Sequence, residues 1–514
     1  MRKRITELLW QYVPIAAVLG LASLVLASQV VRPHRRMIKM SVMLVALVIM
    51  LRFEMLYSLY FFVFLFPFPS GILVTSTNIL LMTLLTLLWM VRANATGVRL
   101  FARTEIDGFV ILFLVAYLLS FFNIEQKSDL IEGVKIVWRQ ATAFAFFYLI
   151  VTFVTDEKKL EGIIKVASLS AGFLVLTALI EMVSPGITII PGWIMTGQKL
   201  GQGELGYRLE ALRVGGSVAS HGLLSDYCTI SIFFMVMLFM RARNPIEKLM
   251  WLAVSTGTFI VLLATANRGA FFSFIFGVIY FLYVFRHRFN LVRYVIVISA
   301  ILAFFSVAQL MLDRYTLAAS ITQRVVGTEF IGWVPDSRVG VWEAPLRRST
   351  EHLFFGHGPF YGVAPGLERM LWPHNAYIYY LYTLGLLGLT AFMLIVYRVA
   401  RTSFRHRSLV VRNTFVGTVM GILHIQLAMF LLEQLRTDHQ RNTDFVYIYI
   451  AWMLFGLIVA AGKLIREREK AAAVATSTTD NPAPSTGELS PGWPVTRPGA
   501  QAPGPFPGRG PASS

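Results

Sequence analysis

Trp372-Pro373-His374-Asn375-Ala376-Tyr377-Ile378-Tyr379-Tyr380-Leu381-Tyr382-Thr383-Leu384-Gly385 stands at a boundary in the chain. Before it, from about Asp313 to Leu371, the sequence is polar and rich in Arg, Gly and Pro. After it the chain stays apolar to about Tyr397, long enough to cross a bilayer as a helix. Pro373 suits a helix start, since its missing N–H would have no partner there. The spacing then puts His374, Tyr377, Ile378, Leu381 and Gly385 on one face, with His374 in the first turn at the water–lipid boundary. An imidazole at the positive end of a helix dipole is favoured neutral and able to accept a proton. The same residues also read plainly as an interfacial His beside an aromatic belt, because Tyr and Trp gather at membrane boundaries.

The rest of the chain has the same character. It is 56% hydrophobic and 14% charged, with a mean hydropathy of +0.64. Soluble domains carry nearly twice that share of charge. Only helices satisfy the backbone inside lipid at such run lengths, so the fold class is all-α, a polytopic membrane protein. Apolar runs suggest spans near 12–31, 37–51, 55–71, 72–91, 108–122, 134–154, 163–183, 222–240, 249–266, 270–285, 292–312, 374–397, 413–432 and 445–465. Residues 37–71, broken by Arg52 and Glu54, read as one span or two, so the total is thirteen or fourteen. The net charge of +18 fits basic cytoplasmic loops and not nucleic-acid binding. The single cysteine, Cys228, lies in an apolar run and excludes an intramolecular disulfide.

Arginines and lysines orient the spans. The densest cluster, Arg398, Arg401, Arg405, Arg407 and Arg412, shares a side with the basic groups near Arg92, Lys158, Arg241, Arg286 and Lys463. The positive-inside rule makes that side cytoplasmic. Residues 184–221 and 313–373 then fall outside, as the only long polar segments between spans. The chain divides into N-terminal spans (1–207), a core (208–397), C-terminal spans (398–470) and a Pro-, Gly- and Ser-rich tail (471–514) expected to be disordered. Several arginines lie where positive charge is least expected: Arg208 and Arg213, Arg268 between two spans, and Arg338 in the long segment. Guanidinium forks match phosphate oxygens, so several converging would bind a diphosphate. Solvated loop charge is the plain alternative for Arg208 and Arg213, and a weaker one for Arg268, which has almost no loop to hold it away from the bilayer. Glu204, Glu210, Asp226, Asp336, Glu343, Glu351 and Glu433 lie on the same side, but without metal-ligand spacing to His, so no metal and no cofactor is expected.

Four stretches resemble the O-antigen ligase and polymerase superfamily of bacterial membrane glycosyltransferases. They are Arg213-Val214-Gly215-Gly216, Asn267-Arg268-Gly269-Ala270, Arg338 to Trp342 with Phe355-Gly356-His357-Gly358, and His374-Asn375 ahead of Leu381 and Gly385. In the second, Asn takes the place of the family's Ser. The resemblance covers about Arg208 to Tyr397 and leaves the first spans and the tail unexplained. It implies a glycan donor on undecaprenyl diphosphate, a saccharide acceptor such as the lipid A core, and an active site on the periplasmic face of the cytoplasmic membrane. Membrane lipids are the other partners, and nucleic acid is not one.

The resemblance also implies direct displacement, with His374 as base, and with Arg268 and Arg213 on the departing diphosphate. Arg208 competes with Arg213, while Arg338 and Asn375 are candidates for holding substrate. A polymerase would use the same donor with a lipid-linked repeat unit as acceptor. A lipid-linked sugar transporter would also need basic groups, but it should place charge along a path through mid-span, whereas here charge clusters at span ends. A non-catalytic assembly partner is a third class, for which the tail could serve.

Overall fold

The computed structural model describes residues 52–68, 77–124, 126–183, 221–288, 334–360, 373–406, 414–436 and 445–479, with Val214, 330–331 and a few isolated positions. Twelve helices lie among them: α1 (Met55–Leu65), α2 (Thr77–Thr96), α3 (Asp107–Ser120), α4 (Lys127–Phe153), α5 (Glu157–Val183), α6 (His221–Arg241), α7 (Pro245–Ala264), α8 (Arg268–Val284), α9 (Asp336–Ser349), α10 (Ala376–Arg405), α11 (Phe415–Glu433) and α12 (Phe445–Thr479). Eight of the described helices are long and apolar enough to cross a membrane, and α1, α3 and α8 are shorter apolar helices. The protein is therefore an all-α, multi-pass membrane protein. Every expected span from 55 onward has its helix here except 292–312, which, with 12–31 and most of 37–51, lies outside the described residues.

Polar side chains start the helices where the sequence provides them. Asn244 accepts from the Ile246 N–H ahead of Pro245, Thr414 from Gly417, and Asn375 from Tyr377 and Ile378. Burial sorts the spans. In the apolar windows of α6, α11 and α12, 83%, 83% and 94% of residues are buried, against 33% in α2 and 39% in α7, so the first three form the centre. Aromatic rings lock α12 there. Trp452 meets Phe144 and Phe147 of α4 edge-on, Tyr449 meets Phe62 of α1, and Phe455 meets Phe430 of α11. Such pairs contribute about 0.5–1.5 kcal/mol each beyond area burial. The chain divides into two units, Met1–Arg466 and Glu467–Ser514. In the second, helix continues to Thr479, past the expected start of the tail, because Ala471 to Ala475 is alanine-rich and favours helix. The rest of the tail lies outside the described residues.

Helix α10 is broken. Gly385 has φ 66° and ψ −167°, inside a run that is otherwise helical. A break at membrane depth strands backbone N–H and C=O groups, which must find partners in protein. The loop after α9 supplies them. His357 and Gly358 donate their N–H groups to Tyr382 O and Thr383 O at 2.9 and 3.1 Å, and Leu386 and Leu387 donate to Leu353 O and Phe354 O at 2.8 and 3.2 Å. Two glycines make this approach possible. A Cβ on Gly356 would overlap the Thr383 carbonyl, and a Cβ on Gly385 would overlap that of Phe354. His357 stacks on Tyr382 with centroids 4.5 Å apart, and its Nε2–H donates to Arg348 O at 2.9 Å. Burial is the main cause holding the His357 pKa below its ordinary 6.5, and the nearby His352 acts in the same direction. The Arg348 carbonyl works the other way.

Two outcomes are expected. Gly385→Ala or Gly356→Ala should lower thermal stability in detergent far more than Gly97→Ala, whose φ of +66° is similar but whose surroundings are open. The control should lose only the left-handed strain, about 1–2 kcal/mol. For His357 the unfolded chain binds the proton more readily than the folded one, so stability is fully present above pH 6.5 and falls as pH drops toward the folded pKa. Melting temperature against pH should show that acid limb in the wild type and a smaller one in His357→Asn.

Candidate functional site

Asn267-Arg268-Gly269-Ala270 is the tight turn between α7 and α8. Thr265 ends α7, Ala266 takes a left-handed φ of 48°, and Arg268 is the first residue of α8. Asn267 caps α8 by accepting from the Ala270 N–H, and its Nδ2 donates to Ser225 Oγ of α6 at 2.7 Å. Arg268 is half-buried at this corner. Val214 joins it through an N–H donated to Ala264 O at 3.2 Å. The residue after Arg213 is thus fixed beside the Arg268 turn, while Arg213 and Arg208 themselves lie outside the described residues.

The second turn is Pro373-His374-Asn375. The sequence puts Pro373 at the first helical position and His374 in the first turn, but α10 starts at Ala376 with Asn375 as its cap. Asn375 accepts from both the Tyr377 and Ile378 N–H groups, a stronger start than Pro373 provides. His374 therefore lies outside the helix, half-buried, with a left-handed φ of 48°. It does not share the helical face of Tyr377 and Leu381. Trp342 of α9 donates its indole N–H to Pro373 O at 2.7 Å and seats α9 on this turn. Left-handed conformations at non-glycine residues persist only where the surroundings enforce them, and they gather at functional sites.

A short segment past the end of α11 joins the two turns. Gln434 O accepts the Ala376 N–H at 2.9 Å, and Leu435 O accepts from Asn375 Nδ2 at 3.3 Å. On the other side Arg436 reaches the Arg268 turn. Its Nη2 pairs with Asp226 Oδ1 of α6 at 2.6 Å and lies 3.5 Å from Glu433 Oε1, and its Nη1 donates to Asn267 Oδ1 at 3.4 Å. Asp226 and Glu433 are both fully buried. A charge buried this deeply needs a partner of opposite sign, and Arg436 supplies a single positive charge, close to Asp226 and farther from Glu433. Gly269 leaves the space, since a Cβ there would overlap the Arg436 side chain.

His374, Asn375 and Arg268 are thus linked through one segment. Arg338 lies in the first turns of α9, the helix whose Trp342 holds the His374 turn, and its side chain is outside the described atoms. Asn375 is engaged as a cap, which favours a positioning role over a hold on substrate. Of the carboxylates that the sequence places on the outer side, Asp226 and Glu433 are buried beside Arg436, while Glu343 and Glu351 are exposed. Among the described residues no three His, Cys, Asp or Glu side chains gather as a metal site. Arg139, buried within α4, is a charge set deeper than the span ends. Sequence reasoning missed Arg436. The argument that singled out Arg268, a cation at the end of a span with little loop to hold it away from the bilayer, applies to it equally, and its i,i+3 spacing to Glu433 was a second signal.

In comparison with known families, residues 249–393 match the family described as O-Antigen ligase. The matched region begins in α7 and contains the Arg268 turn, α9, the Gly356 loop, the His374 turn and α10 through the Gly385 break. No curated protein matches the chain.

Removing Arg436 should be strongly destabilising, because it leaves the buried Asp226 carboxylate uncompensated. Arg436→Ala is expected to lose about 3–5 kcal/mol. Adding Asp226→Asn should recover part of it, and the recovery in a double-mutant cycle measures the pair. Additive losses in thermal denaturation would show that the two residues do not interact.

Proposed function

We propose, from the premise that residues 249–393 are an O-antigen ligase domain in a multi-pass membrane protein, that the chain transfers a glycan from undecaprenyl diphosphate to a saccharide acceptor such as the lipid A core. The reaction takes place on the outer face of the cytoplasmic membrane. That orientation rests on the arginines at 398–412, which resist translocation. The observation carrying the reading is the joining of the Arg268 and His374 turns through Gln434, Leu435 and Arg436.

In this reading the acceptor hydroxyl attacks the anomeric carbon. A glycosidic C–O bond forms, the C–O bond to the diphosphate breaks, and the lipid diphosphate leaves with the electron pair. His374 takes the hydroxyl proton, which a neutral imidazole can do near pH 7. Arg268 stabilises charge on the departing diphosphate, with Arg213 assigned the same role and Arg208 as the competing candidate. Arg338 is the further candidate for holding a substrate. No metal or cofactor is assigned a step. Trp342 and Asn375 fix the His374 turn, and Arg436 fixes the Arg268 turn, so both reacting groups are set before substrate arrives. A polymerase would use this donor chemistry with a lipid-linked repeat unit as acceptor. A deletion strain separates the two: loss of a ligase strands long chains on the carrier lipid, and loss of a polymerase leaves single repeat units on the final acceptor.

Purified protein with a synthetic lipid-diphosphate donor tests the roles. His374→Ala should lower turnover by about 10²–10⁴-fold with donor binding nearly intact, since a general base acts in the transition state. Arg268→Ala should weaken donor binding as well as turnover, because the diphosphate is charged throughout. Arg268→Lys should rescue only in part, keeping charge but losing the fork. The wild-type rate should fall below the imidazole pKa, ordinarily about 6.5, and that limb should vanish in His374→Ala. Near-normal turnover in His374→Ala, or loss of donor binding there, would remove His374 as the base.

A further inference from the structure

At the far end of α10 from His374, well past the Gly385 break, lies a cavity of about 230 Å³. It is lined by Arg398, Arg401, Thr402, Arg405 and His406 of α10, with Glu105 ahead of α3 and Arg466 of α12. Four arginines face one carboxylate, so the lining carries +4 −1 = +3 with His406 neutral. Glu105 is already paired, 2.7 Å from Arg466 Nη1. Arg398 lies over the Phe109 ring at 5.7 Å.

Arg398, Arg401 and Arg405 follow i, i+3, i+7 spacing and stack on one helix face. Like charges at i,i+4, as in Arg401 and Arg405, destabilise a helix unless an anion sits between them. Beyond the Gly385 break α10 runs on for many turns to Arg405, so its last turns reach headgroup level. Tyr397 and Phe404, both at least half exposed, flank the cluster as aromatic residues do at the membrane interface. Basic pockets between helices at this depth match the phosphates of anionic lipids, and guanidinium forks match phosphate oxygens in pairs.

We infer that this pocket binds a phosphate anion, supplied by the headgroup of an anionic phospholipid. It is a second ligand site, separate from the His374 turn and independent of the reaction proposed there. Delipidated full-length protein in detergent tests it by native mass spectrometry and thermal denaturation, with added phosphatidylglycerol, phosphatidylcholine or inorganic phosphate. Phosphatidylglycerol should bind and raise the melting temperature, and phosphatidylcholine should not. The Arg398→Gln/Arg401→Gln/Arg405→Gln variant should lose about 100-fold in affinity, at about fivefold per basic residue. If that variant fails to fold, Arg401→Gln alone, at an exposed position, should lose about fivefold. Inorganic phosphate that displaces the lipid and reproduces the thermal shift would keep the anion site and change its source. Equal binding of the two lipids, or undiminished preference in the variants, would overturn it.

Discussion

A helix inside lipid has no water to mend a break, and this constraint governs the arrangement around α10. Gly385 breaks the helix, and the backbone of 353–358 closes the gap with hydrogen bonds in both directions. The loop is thereby held into the membrane domain. Helix α9 leads directly into that loop, and Trp342 of α9 holds the carbonyl of Pro373. The position of His374 is set by the residues on either side of it in the chain: Trp342 of α9 holds Pro373, and Asn375 caps α10. Without the two facing glycines the loop could not approach, and α9 would lose its anchor.

The second constraint is electrostatic. Asp226 and Glu433 belong to two of the most buried helices, where an uncompensated charge costs several kcal/mol. Arg436 pairs closely with Asp226, lies near Glu433, and also reaches Asn267 beside Arg268. A buried ion pair of this kind is weak evidence for net stability but a strong device for fixing geometry. It ties the turn that carries the candidate diphosphate ligand to the end of α11, whose next residues cap the helix after His374.

Much of this was legible in the sequence, and the remainder had physical reasons for being hidden. Span positions follow from hydropathy, because lipid leaves the chain few alternatives. Arg268 could be singled out because a charge on a tight turn between spans must have a purpose. The start of α10 was misplaced by competing signals. Pro373 and Asn375 are both good helix-start residues, and Asn375 prevailed because it satisfies two N–H groups. The break at Gly385 could not be read locally, since the groups that repair it come from 353–358. Asp226 was visible as a carboxylate at a span end, but its pairing with Arg436, far along the chain, was not.

The segment from Gln434 to Arg436 bears on how the protein can be taken apart. The region that fits the ligase family, 249–393, excludes both Asp226 and Arg436, so it does not contain the groups that hold its own Arg268 turn. It is a unit of sequence likeness without being a unit of architecture. A chimera exchanging only 249–393 with a relative would set a foreign turn against a native Asp226 and Arg436. One that carried α6 and the end of α11 along with it would transplant the support together with the site.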